Sequence, residues 1–339
     1  MGIIVHQGGL LTTVQDAGRR GYQRYGLGVS GAVDVVSYIY ANVLVGNPEN
    51  EAVLEITLLG PTVEFTSPAV IAITGGDLTP LLNNAPCPMY RAVRANKGDV
   101  LSFGAPKTGC RAYLAFAGGL EITPIMGSRS TYIKAHLGGF EGRKLMQGDE
   151  IAFRKPGFCP KNVENRVMDA PTFDGSYTVR VLLGPQEESF TEEGMNTFLS
   201  SAYTVTNEFD RMGYRLTGPK ISHVTDGNII TDGITFGAIQ VPDGGEPIIM
   251  LSDRQTTGGY AKIASVINVD MPLIAQCKAG DTVRFEKTDI VTAQDAFLMQ
   301  KEKYRRLREA FDTAPRTRVF RATVKGKTYE IELQRLGEE

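Results

Sequence analysis

A chain of 339 residues is long enough for two domains, and 42% hydrophobic with 22% charged residues is the composition of an ordinary soluble globular protein. Lys+Arg number 36 against Asp+Glu 38, a net charge of −2, which excludes the cationic excess that phosphate backbones require. The 38 glycines and 17 prolines favour many short strands joined by turns. Met1–His6 lacks the basic and apolar regions of a secretory signal, and no run approaches the ~20 apolar residues of a membrane span. Cys87, Cys110, Cys159 and Cys277 are scattered without a C-x-x-C, so reduced thiols in a cytoplasmic protein are expected. His6, His136 and His223 are far apart, and neither a metal site nor a histidine triad is expected.

In chain order, the first clear element is a helix over 32–45, with apolar residues at 32, 33, 35, 36, 39, 40, 43 and 44. Ser30 is placed to cap it, Asp34 falls in its first turn, and Gly46-Asn47-Pro48 ends it. Strands are predicted over 63–65, 69–73 and 111–116, then over 178–183 and 247–251. Helices are predicted over 187–199, burying Phe190, Phe198 and Leu199, and over 291–311, where the charges read as a solvated face. Beyond Pro315, residues 319–324 and 328–333 form a hairpin pattern around Lys325-Gly326-Lys327.

One pattern occurs three times: Gly98-Asp99, Gly148-Asp149 and Gly280-Asp281 each open an alternating strand ending in Phe. Asp16-Ala17-Gly18-Arg19-Arg20-Gly21-Tyr22 is echoed by Asp210-Arg211-Met212-Gly213-Tyr214. These echoes predict two related β-barrel domains, over 1–160 and 177–290. A linker over 161–176 and a tail over 291–339 complete the division.

Four stretches carry polar chemistry. Gly26-Leu27-Gly28-Val29-Ser30-Gly31 has dinucleotide-loop spacing but follows a charged segment instead of a strand, which leaves only an anion site at a helix N-terminus. Asp77 follows an apolar strand at a Gly-Gly turn, and Arg129 stands among hydroxyls suited to a carboxylate. The densest stretch is Ser252-Asp253-Arg254-Gln255-Thr256-Thr257-Gly258-Gly259-Tyr260, where a strand opens into a loop. There Gln255 presents a planar donor and acceptor to an amide, Arg254 can clamp a carboxylate, and the glycines admit a ligand to the backbone.

Thr12 to Tyr22, Ser30-Gly31-Ala32-Val33-Asp34 and Ala41 to Pro48 resemble the opening of the KipA-type group, the biotin-dependent carboxyltransferase / allophanate hydrolase subunit 2 family. Ala115 to Gly119, Gly127 to Thr131, Asp210 to Leu216, Gly237 to Pro242 and Asp253 to Tyr260 are similar to its later signatures, in order from about residue 3 to 287. The resemblance implies a mainly β protein of two cyclophilin-like barrels related by duplication. It implies one component, the C subunit, of an ATP-dependent 5-oxoprolinase, a hydrolase that opens a cyclic amide to glutamate. Its partners would be a KipI-type B subunit and an A subunit.

The alternatives it carries are carboxyl transfer from carboxybiotin to urea or a related amide, and antagonism of a KipI-type kinase inhibitor. With no Met-Lys-Met sequence, biotin is not expected on this chain, and ATP is expected at the level of the complex. Catalytic candidates are Asp34, Asp77, Arg129 and Arg254. The candidates for substrate binding are Ser30, Arg211, Gln240, Asp253, Gln255, Thr256, Gly258, Gly259 and Tyr260.

Overall fold

A computed structural model describes residues 1–313, 317–324 and 327–334. The protein is mainly β. Among the described residues its α-helices are α1 (Val35–Leu44), α2 (Glu192–Ser200), α3 (Met271–Gln276) and α4 (Ile290–Thr313). None is long and apolar enough to cross a membrane.

The first half is built from two sheets. One runs Glu150–Ala152, Gly2–Gln7, Thr62–Phe65, Val100–Phe103, Pro80–Leu82 and Ala85–Pro86. The other runs Leu11–Gln15, Val53–Thr57, Thr108–Phe116, Ala69–Asp77 and Ala92–Ala95. Strand Ala69–Asp77 shows why its sequence is a continuous apolar run. Ile71 and Ile73 face the core between the sheets, while the alternate Val70 and Ala72 face a second core under α1. That second core also receives Tyr304 and Phe311 of α4, so the last helix returns to the first half, with Tyr304 edge-on to Tyr40 at 5.6 Å.

The second half closes into a barrel of Ser176–Leu183, Lys262–Val266, Ala238–Gln240, Ile248–Met250, Gly213–Thr217, Ala202–Phe209 and Thr282–Lys287. Its first and last strands pair in parallel and complete the ring. Phe198 of α2 stacks on Phe285 at 4.6 Å within the barrel core. Outside the barrel, Asn228–Gly233 pairs with Thr257–Tyr260 as a separate ribbon.

The three Gly-Asp pairs are one device used three times. Each glycine has φ near +90°: Gly98 at +87°, Gly148 at +89° and Gly280 at +90°. Each aspartate accepts the N–H three residues back, from Asn96 (2.7 Å), Met146 (2.8 Å) and Lys278 (3.0 Å). Each pair then exchanges two backbone hydrogen bonds with one distant strand residue: Phe65, Val5 and Val205 respectively. The turn chemistry seen in the sequence is thus also a clasp. Asp16 and Asp210 likewise share a local fold, accepting from the N–H two residues on, at Gly18 (2.8 Å) and Met212 (2.6 Å).

Several expectations change. Helix α1 starts at Val35 and is capped by Asp34, whose carboxylate accepts from Ser37 N–H at 2.9 Å; Ser30 is not the cap. Ser30 instead has φ +57° and gives its hydroxyl to long-range partners. Asp34 thus satisfies the α1 N-terminus with this chain's own carboxylate. Segment 161–176 touches both halves, with Val163 and Arg166 buried on the first half and Phe173 in the barrel core, while residues 169–172 between them are exposed. At the tail, Thr317–Val324 pairs with Lys327–Gln334; residues 325–326 of the expected turn lie outside the described residues, as does Pro315.

Candidate active site

The two halves meet across a buried polar seam. Glu55 lies in the middle of the wholly buried strand Val53–Thr57, and Arg211 follows the Asp210 turn on the barrel. The Arg211 guanidinium donates to Glu55 and to both oxygens of Asp253, at 2.9 and 3.0 Å, and to the Gly31 carbonyl at 2.7 Å. Asp253 also accepts from the Ser30 hydroxyl at 2.7 Å, and Glu55 from the Tyr113 phenol at 2.9 Å and Val33 N–H at 2.8 Å. Burial pulls the Arg211 guanidinium down, but the carboxylates of Asp253 and Glu55 outweigh it and hold it above the ordinary arginine value. Every charge here has its partners, the arrangement a buried ion pair needs to persist.

Asp34 sits beside this seam and is fully buried. Its carboxylate accepts from Ser37 N–H, Ser37 Oγ (2.7 Å) and Gln276 Nε2 (2.8 Å), the last from across the seam. Burial, opposed only by these hydrogen bonds, raises its pKa. It borders neither of the cavities described next, and its contacts are those of a helix cap and interdomain tie.

Arg254 is the exception along the seam. It is 8% exposed, donates through Nε to the Ile234 carbonyl (3.1 Å) and through Nη1 to the Leu251 carbonyl (3.1 Å), and forms no ion pair among the described residues. Burial and the neighbouring positive Arg20 pull it down to about 10, against the weaker opposing pull of Asp253. It stays charged at neutral pH. Arg254, Arg20, Gln23, Ser30 and Ser252 line a cavity of about 210 Å³ between the halves, a cationic pocket without its own anion.

Gln240, Gln255 and Tyr260 gather elsewhere, in a larger cavity of about 570 Å³ on the barrel wall with Met212, Ile248 and Met250. Thr256 spends its carbonyl on Ile234 N–H (3.0 Å), while Gly258 and Gly259 lie in the outer ribbon strand. The structure therefore separates residues that the sequence placed in one pocket. Two others stand apart from both cavities. Asp77 folds back on Thr79 N–H at 2.8 Å and borders a third cavity with Lys107. Arg129 donates to the Ile122 carbonyl at 2.9 Å, and the hydroxyls around it, Ser128 and Ser130, serve Asp16.

Sequence reasoning missed Glu55, Gln276 and Arg20. Glu55 has a signal, a lone carboxylate inside the apolar run Val53-Leu54-Glu55-Ile56. Arg20 lies in the duplicated motif, where it reads only as an echo. Among the described residues no group of three or more His, Cys, Asp or Glu converges to hold a metal ion.

The two-half β scaffold is that of a carboxyltransferase-type domain. The chain belongs to that family: residues 25–287 match the model of the carboxyltransferase domain, subdomain A and B. It is 36% identical over 300 residues to the C subunit of 5-oxoprolinase from Escherichia coli, covering 88% of this chain and 95% of that protein. It is 34% identical over 303 residues to urea amidolyase of Lachancea kluyveri, covering 82% of this chain but 16% of that one. Among solved structures, urea carboxylase of Kluyveromyces lactis superposes with a TM-score of 0.85 at 31% identity, over 91% of this chain and 29% of that one.

Proposed function

We propose that this chain is the C-type subunit of an ATP-dependent 5-oxoprolinase, working with a KipI-type B subunit and an A subunit to open a cyclic amide to glutamate. The observation that carries the reading is near full-length similarity, 88% of this chain against 95% of the E. coli protein. The cationic interdomain cavity supports it chemically, because 5-oxoproline is a small carboxylate. Arg254, under-neutralised and already fixed by two carbonyls, and Arg20 opposite would hold that carboxylate without reorganisation.

The residues near α1 do not fit a nucleotide. Asp34 occupies the helix terminus, and the chain has no G-x-x-x-x-G-K-[ST] loop. In this reading ATP is assigned to the assembled complex. Four free cysteines, three of them buried, accord with a cytoplasmic setting.

The test is co-expression with the two partner subunits, followed by ATP-dependent glutamate release from 5-oxoproline. An intact, stoichiometric complex without that activity rejects the reading. A second reading, carboxyl transfer to an amide, is favoured by the TM-score of 0.85 to the K. lactis urea carboxylase. It predicts carboxylation of urea when carboxybiotin is supplied on a separate carrier.

A further inference from the structure

Strand Ala69–Asp77 ends in the Gly75-Gly76-Asp77 turn, and neither the seam nor the interdomain cavity uses that carboxylate. Asp77 borders instead a cavity of about 560 Å³ on the first half, within the range of small-molecule pockets. Ala170 and Pro171, from the exposed stretch 169–172, form part of its wall.

Lys107 borders the same cavity, and its N–H donates to the Asp77 carbonyl at 2.7 Å, so the two residues adjoin across neighbouring strands. Opposite charges placed in this way stabilise a sheet by pairing. These two do not pair. Asp77 Oδ1 accepts from Thr79 N–H at 2.8 Å, while Asp77 Oδ2 and the exposed Lys107 ammonium have no partner among the described residues. One cavity thus presents an anion and a cation, each open to an incoming group.

The backbone around them is held in conformations that side chains rarely adopt. Thr79 has φ +48° and Tyr90 φ +55°, beside Gly75 at +88°. A β-branched residue in that region is strained, and such strain gathers at binding and catalytic sites. Tyr90 spends its phenol on the strand, accepting Gly75 N–H at 2.8 Å and donating to the Gly75 carbonyl at 3.1 Å. The pairing of the two strands also slips between Thr108 and Ala112, an irregularity of the kind that re-aims side chains. Leu81, Pro86 and Met89 add an apolar wall.

An adjoining cation and anion beside an apolar wall complement a molecule that carries the same three features. An α-amino acid has its ammonium and carboxylate on one carbon, with the side chain branching away from both. A dicarboxylate would set a like charge against Asp77, and a simple amine would leave Lys107 unmatched. We propose that this cavity binds a free α-amino acid with an apolar side chain, its ammonium on Asp77, its carboxylate on Lys107 and its side chain against Leu81 and Met89. The site goes beyond the proposed function and stands independently of it.

The experiment titrates the full chain with L-leucine, N-acetyl-leucine, leucinamide, glycine and glutamate, followed by ligand-observed NMR. Leucine is expected to bind saturably. N-acetyl-leucine lacks the ammonium, leucinamide the carboxylate and glycine the side chain, and each should bind at least tenfold more weakly. Asp77→Asn keeps the acceptor for Thr79 N–H, and Lys107→Met alters an exposed side chain; each should lose at least tenfold in affinity for leucine with the melting temperature held. Arg254→Met, in the interdomain cavity, should bind leucine as the parent does. The proposal is overturned if leucine does not bind, if the blocked derivatives or glutamate bind as tightly, or if folded Asp77→Asn and Lys107→Met keep the parent's affinity. Loss of leucine binding in Arg254→Met would move the ligand to the interdomain cavity and overturn the assignment as well.

Discussion

Asp253 and Arg254 adjoin in the chain but live under opposite electrostatic conditions. Asp253 is held by Arg211 and Ser30 in a seam where each charge meets its complement. Arg254 is almost as deeply buried, yet its hydrogen bonds go to two carbonyls, its face lies over the Phe236 ring, and a like charge, Arg20, adjoins it. Burial alone therefore does not mark a functional residue. What separates them is whether the scaffold completes the hydrogen bonding or leaves part of it to an incoming molecule.

The comparison breaks first at Arg211. Arg211→Met leaves Glu55 and Asp253 buried without their cation and is expected to cost about 3–5 kcal/mol, read as a lowered denaturation midpoint. Arg254→Met strands no carboxylate, so its stability should stay within about 1 kcal/mol of the parent or rise. The same variant should lose roughly 10–100-fold in kcat/KM for a carboxylate substrate in the assembled enzyme. If the two variants were equally unstable, the distinction between seam and site would fall.

Asp34 sharpens the contrast through pH. Its folded pKa is raised by burial, so its contribution to stability is complete below the unfolded carboxylate value of 3.8 and is lost as pH climbs through the folded one. Asp34→Asn cannot titrate. Relative to the parent, its melting temperature should improve as pH rises from about 4 towards 8, and a parallel pair of curves would refute the assignment. The smallest effect is expected at Ser30. Ser30→Ala forfeits the hydroxyl bonds at φ +57° and should cost about 1 kcal/mol, whereas Ser30→Gly recovers part of that by relieving the backbone. Thermal melts of the two variants side by side check the order.

Much of the scaffold is legible in the sequence because it rests on local chemistry. The strands over 69–73 and 178–183 and the last helix stand where periodicity puts them, each extended by a few residues. The cap of α1 is not legible in the same way, because Ser30 and Asp34 are both good caps locally. The choice between them is made by Asp253, which claims the Ser30 hydroxyl from the other half of the chain. The same long-range pairing explains the candidate site. The 252–260 stretch reads correctly as polar and glycine-rich, but one sequence segment serves the seam, the cationic cavity and the barrel cavity in turn. Linear order carries no record of which side of the strand end each residue takes.

The Gly-Asp clasps also set an order of events on the ribosome. Val5 is gripped by Gly148 and Asp149, and strand Gly2–Gln7 lies between Thr62–Phe65 and Glu150–Ala152. The first strand to be translated thus waits for the last strand of its half before both its edges are covered. In the second half the ring closes only when Thr282–Lys287 emerges to join Ser176–Leu183. A nascent chain halted just short of the barrel's last strand exposes two unpaired edges at once, the form in which a half-made β protein is most open to self-association.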